Sequence, residues 1–102
     1  MSRHQLENVD EIEAGDLRCV EIAGKQLCVG RDDDGRLFAV DNLCTHEDFE
    51  LSEGFLDGAD IECPAHGSRF NIHTGDVKGL PATIPVRVFP VEIVGDEAFV
   101  EV

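Results

Sequence analysis

Basic side chains are scarce in this sequence: eight lysines and arginines stand against twenty-two acidic residues, a formal charge of -14. Such a chain repels phosphate backbones and anionic membrane surfaces, so nucleic acid and membranes are excluded as expected partners. Long apolar runs are missing too. Nothing approaches the roughly 20 residues of a membrane span, and the opening MSRHQLENVDEIEAGD has no apolar stretch of the kind a secretory leader needs, which predicts a cytoplasmic protein. At 102 residues a second domain has no room, so a single domain over 1–102 with one site is expected. Internal repeats, low-complexity linkers and convincing amphipathic helices are absent as well.

What is present is turn chemistry and period-2 alternation, the pattern of a β protein. CVEIAGKQLCVG reads as a hairpin in which Val20, Ile22, Leu27 and Val29 share one face. Gly24 heading a Gly24-Lys25 loop predicts a type II' turn. A second turn at Asp34-Gly35, with a type I' signal, leads into RLFAVDN and completes a three-stranded meander. VRVFPVEIVGDEAFVEV forms the closing strands, joined at Gly95-Asp96, and Pro90 marks an edge or a bulge.

Four cysteines in a reducing compartment point to metal or redox chemistry rather than to a disulfide framework. In the Gly24-Lys25 register Cys28 faces Glu21 and Cys19 faces Gly30, making the two cysteines diagonal neighbours. A turn at Ala23-Gly24 places them directly opposite instead, which leaves a disulfide open as the alternative. Both are read as buried thiols, small apolar fillers.

The other two belong to CTHEDFELSEGFLDGADIECPAHGS. Cys44-Thr-His46 and Cys63-Pro-Ala-His66 each offer one thiolate and one imidazole from a tight loop. Two chemistries accept that donor set: a structural Cys2His2 zinc, or a two-iron centre with cysteines on one iron and histidines on the other. Zinc fingers usually pair like with like within one local element. Here each loop mixes the types, which suits two bridged irons.

The pair C-T-H and C-P-A-H-G-S resembles the two cluster loops of Rieske proteins, and the chain is similar to the small ferredoxins of bacterial aromatic-ring-hydroxylating dioxygenase systems. That resemblance implies an all-β fold, a Rieske-like antiparallel β sandwich with a two-loop cluster-binding insertion over about 43–80. It implies one Rieske 2Fe-2S cluster, with Cys44 and Cys63 on the inner iron and His46 and His66 on the outer iron. The imidazoles would coordinate through Nδ1 and expose their Nε2 edges. Gly79, Leu80, Pro81 and Ala82 fall where the family's proline loop covers the cluster, although an ordinary turn reads equally well.

Two ferric ions, two sulfides, two thiolates and two neutral imidazoles sum to zero charge. Reducing a neutral core is easier than reducing one that four thiolates have already made negative, so histidine ligation raises the potential above that of plant-type ferredoxins. Within the Rieske range the sequence points low. Respiratory members carry a loop disulfide where this chain has Phe49 and Ala65, and a tyrosine where it has Phe70; Ser68 remains as a hydroxyl donor. Glu47, Asp48 and Glu50 add negative charge, each worth roughly tens of millivolts at about 8 Å.

Other residues take plainer readings. His4 belongs to a polar, solvated tail, and His73 to a turn after a strand over 69–72. Asp32, Asp33 and Asp34 form a solvated turn. Phe49, Leu51 and Pro64 serve either as apolar ground near the imidazoles or as packing under the loops.

After the cluster takes its histidines only His4 and His73 remain, too few for a mononuclear iron site, and no dinucleotide-binding fingerprint occurs. The chain is therefore expected to be no enzyme but a monomeric one-electron carrier, linking an NADH-dependent flavoprotein reductase to a terminal oxygenase. The alternative is a fixed accessory subunit, similar to the small subunit of assimilatory nitrite reductase.

Overall fold

The computed structural model describes residues 2–45, 49–65 and 67–102. These form eleven strands in three antiparallel sheets. The strands are β1 (Arg3–Leu6), β2 (Leu17–Ile22), β3 (Lys25–Arg31), β4 (Leu37–Asp41), β5 (Phe55–Asp57), β6 (Asp60–Glu62), β7 (Arg69–Asn71), β8 (Val77–Gly79), β9 (Val88–Phe89), β10 (Val91–Val94) and β11 (Glu97–Glu101). Among the described residues the only helical pieces are two 3-10 turns, Val9–Glu11 and Leu51–Glu53. Among the described residues no helix is long and apolar enough to cross a membrane.

The sheet β2-β3-β4-β9 carries a core on each face. On one side Ile22, Leu27, Val29, Leu37, Ala39 and Phe89 pack with Leu6, Ala98 and Val100 of the sheet β1-β11-β10. On the other, Cys28, Phe38 and Val40 pack with Leu51, Ile61, Phe70 and Ile72, the last three in or beside the sheet β5-β6-β7-β8. Strands covered on both faces lose their polar alternation. LCVG in β3 and LFAV in β4 are continuous buried runs for that reason.

The meander forms as the turn signals predict, with two changes of detail. The first loop is Ala23-Gly24, with φ of 52° and 80°, so Ile22 pairs Lys25 and Cys19 sits directly opposite Cys28. The type II' reading is thereby corrected to a loop in which both residues are left-handed, the type I' geometry that matches strand twist. A slide of two residues keeps every side chain on its face, so the apolar pattern could not select the register. The second loop spans 32–36 with Gly35 alone left-handed, and Gly35 N–H donates to the Asp32 carbonyl at 3.0 Å. It is a longer turn than the expected type I'.

Pro90 separates β9, which pairs β4, from β10, which pairs β11. The proline thus marks where the chain leaves one sheet for another, and both flanking strands are edges. At the N-terminus the expected solvated tail is instead strand β1. His4 pairs Val100, and its Nε2 is buried without a hydrogen-bond partner.

Candidate metal centre

β4 ends at Asp41, and Asn42 and Leu43 lead into the first candidate ligand loop. Leu43 bridges Glu50, and Cys44 N–H donates to the Phe49 carbonyl at 2.9 Å. The second loop joins β6 to β7 and closes the same way: Cys63 N–H donates to the Ser68 carbonyl at 2.8 Å. In both loops the cysteine's own amide clasps a carbonyl five residues on. Gly67, at φ 76°, supplies the left-handed residue that lets the second loop return so tightly.

Cys44 is 5 % and Cys63 1 % exposed, and both belong to the apolar core shared by the middle and third sheets. His46 and His66, with Glu47 and Asp48, lie outside the described residues. A donor set of two thiols from separate loops, sunk in one water-poor core, fits an iron-sulfur group whose cysteine side is its buried side.

The surroundings tie the two loops to each other and to the sheet beneath. Asn42 is fully buried; its Nδ2 donates to Glu50 Oε1 at 3.1 Å and to Cys19 Sγ at 3.4 Å, while its Oδ1 accepts Ser52 N–H at 2.9 Å. Asn42 thus braces the first loop from inside. Gly54 lies so close to the Glu62 carbonyl, one residue before Cys63, that any Cβ there would overlap it. Thr45 Oγ1 donates to the Ile84 carbonyl at 2.6 Å. Ser68 Oγ, fully buried, accepts Ala82 N–H at 3.1 Å and so keeps its own proton to donate. These last two bonds draw the 80–84 segment over the loops, where Leu80 is 77 % and Ile84 62 % exposed. Phe49 is exposed and Leu51 is core, so the three apolar residues read together divide their roles; Pro64 is exposed with Phe49.

Two sequence readings change outside the site. Asp32 is not solvated: its buried carboxylate accepts Asp34 and Arg36 N–H through Oδ1 and meets His73 Nε2 at 3.3 Å. Burial pushes that carboxyl up, but the two backbone donors, His73 and Arg36 outweigh it and hold it below its ordinary value. Cys19 is exposed, whereas Cys28 is buried as expected. Asn42 and Thr45 were missed as supports. An amide two residues before a candidate ligand cysteine and a hydroxyl one residue after it were the available signals.

Comparison with known proteins agrees with this arrangement. The family model described as Rieske 2Fe-2S domain matches residues 2–90. The ferredoxin component of a naphthalene 1,2-dioxygenase system from Pseudomonas aeruginosa is 40% identical over 91 residues, covering 89% of this chain and 86% of the relative. The ferredoxin of carbazole 1,9a-dioxygenase from Nocardioides aromaticivorans IC177 superposes with a TM-score of 0.90 at 31% identity, covering 98% of this chain and 97% of that one. A further structure, a complex of reduced oxygenase and oxidized ferredoxin in carbazole 1,9a-dioxygenase, matches with a TM-score of 0.88 at 38% identity, covering 96% of this chain and 91% of that one. The relatives are named as ferredoxin components, the electron-transfer parts of their systems. The chain belongs to the Rieske 2Fe-2S domain family and carries one cluster of that type.

Proposed function

We propose that Cys44, His46, Cys63 and His66 hold the cluster and that the chain carries single electrons from an NADH-dependent flavoprotein reductase to a terminal aromatic-ring dioxygenase in the cytoplasm. The observation that carries this reading is the pair of buried cysteines, each opening a loop closed by its own amide and both packed in one core. When bound, the cluster supplies a one-electron couple. Cys44 and Cys63 anchor it on the water-excluded side, while the two histidines form the outward edge.

Several residues set the potential low within the Rieske range. Phe70, fully buried, offers no hydroxyl where respiratory relatives have tyrosine, leaving Ser68 as the hydroxyl donor. Glu50 is held in the first loop by Asn42, so its negative charge is fixed beside the site. Both effects disfavour adding an electron. The -14 charge steers encounter with basic partner surfaces.

Reconstitution in air with a flavoprotein reductase, NADH and the terminal oxygenase tests the assignment. Substrate hydroxylation that requires this protein is the expected result, together with a Rieske-type EPR signal after dithionite. Failure to couple, with fixed-stoichiometry co-purification on a sirohaem enzyme, would favour the accessory-subunit alternative. Replacing His46 or His66 by cysteine should change the EPR signature and lower the midpoint; an unchanged spectrum would remove that histidine from the ligand set.

A further inference from the structure

Cys19 and Cys28 lie outside the ligand set, yet they are placed as a matched pair. The Ala23-Gly24 loop closes on Ile22 and Lys25, and the register then runs Val20 against Leu27 and Cys19 against Cys28. Opposed residues in an antiparallel ladder alternate between hydrogen-bonded and non-hydrogen-bonded pairs. Ile22 and Lys25 close a two-residue loop and are of the first kind. Arg31 N–H donating to the Asp16 carbonyl at 3.3 Å, six residues further along, keeps the same alternation.

Cys19 and Cys28 are therefore a non-hydrogen-bonded pair, with Cα atoms about 4.5 Å apart and side chains on one face. That separation lies within the span a disulfide needs, about 4.4–6.8 Å. Cys19 is exposed, open to small oxidants, while Cys28 is fully buried beside it. Asn42 Nδ2 donates to Cys19 Sγ and so orients the sulfur on the face it shares with Cys28.

We infer that Cys19 and Cys28 form a reversible disulfide, a second redox site working by two-electron thiol chemistry, closed by hydroperoxides and reopened by dithiols. The Cys19 sulfur attacks the outer oxygen of the hydroperoxide: an S–O bond forms, the O–O bond breaks, and the departing oxygen takes the thiol proton. Cys28 sulfur then displaces the hydroxyl of the Cys19 sulfenic acid, which leaves with the Cys28 proton as water. Two thiols give up two electrons and the hydroperoxide gains them. Burial, with Glu50 and Glu21, raises the Cys19 thiol above its ordinary value, and burial, with Cys19, pushes Cys28 up to about 12, so both sulfurs rest as protonated thiols and the first attack is slow. Closure draws the Cys19 sulfur from the amide that also holds Glu50. The second site is in this way wired to the support of the first ligand loop.

The test treats anaerobically purified holoprotein with rising doses of hydrogen peroxide, alkylates it in denaturant and maps the peptides by mass. A Cys19–Cys28 cross-linked peptide, lighter by two hydrogen atoms, should appear before the visible absorption bleaches and should vanish with dithiothreitol. Cys19→Ser should abolish it and leave Cys28 fully alkylated. In Cys28→Ala, Cys19 should instead run on to sulfinic acid. The inference is overturned if both thiols stay alkylatable while the cluster bleaches, if the cross-link forms only after bleaching, or if wild-type Cys19 becomes sulfinic acid with Cys28 reduced. A peptide mass does not depend on which residues bind iron, so failure here leaves the proposed function standing.

Discussion

At the scale of single residues, burial decides which polar atoms matter. Asn42 holds three groups with one side chain, and truncation would leave the Ser52 N–H and the Glu50 carboxylate short of a partner. Asn42→Ala should cost about 1–3 kcal/mol of stability, read as a lower denaturation midpoint with an unchanged slope. Cys28 gives a pH signature. Its thiol sits near 12 folded against 9.0 for an unperturbed cysteine, so its contribution is intact below pH 9 and is lost as pH climbs from 9 towards 12, where only the unfolded chain ionises readily. Cys28→Val should flatten that part of the alkaline stability profile, a result that chemical denaturation at several pH values would reveal. Position 70 reads out in voltage: Phe70→Tyr should raise the midpoint by tens of millivolts, within the roughly -150 to +300 mV Rieske range, if a phenol there can donate to sulfur.

Among the elements, the hairpin and the inter-sheet contacts carry the tests. Ala23 adopts a left-handed conformation that an L-residue with a Cβ reaches at a cost of about 1–2 kcal/mol, which asparagine lessens. Ala23→Asn should therefore stabilise the protein by about 1 kcal/mol, seen as a rise in thermal midpoint, and a fall would mean the loop is not type I'. Asp32 and His73 join the 32–36 turn of the middle sheet to the turn after β7 in the third. Because the Asp32 carboxyl is held low, the stability it lends is complete above the unfolded value near 3.8 and is lost as pH falls below it. Asp32→Asn should be less stable at neutral pH yet show a shallower loss on acidification.

For the whole molecule, the two cores on opposite faces of the middle sheet need not respond alike. With the cluster held as proposed, its removal takes the filling from between the two loops but leaves the core of Leu6, Leu27, Val29, Ala98 and Val100 untouched. Hydrogen exchange after cluster removal should speed in β5–β8 and the ligand loops while β1, β10 and β11 keep their protection. Uniform loss of protection would show that the cores fold as one. In the proposed function, the -14 charge makes association with a reductase and an oxygenase salt-sensitive: stopped-flow rates should fall steeply as ionic strength rises through the physiological range. A flat salt profile would remove electrostatic steering.

By itself the sequence determined the family, the all-β class and the face each strand residue of the meander takes, because each rests on residues near one another along the chain. CTH and CPAH are contiguous motifs, and alternation at i and i+2 is set by the pleat alone. Only the tertiary structure decided the rest. Hairpin register slides by two without moving any side chain off its face, so the Ala23-Gly24 turn had to choose it, and with it the opposition of Cys19 and Cys28. The pairing of β1 with β11, the burial of His4 Nε2 and of Asp32, and the meeting of Cys19, Asn42 and Glu50 join segments far apart in the chain. Such contacts exist only when the sheets have stacked, since no local pattern encodes which distant surface will cover a given side chain.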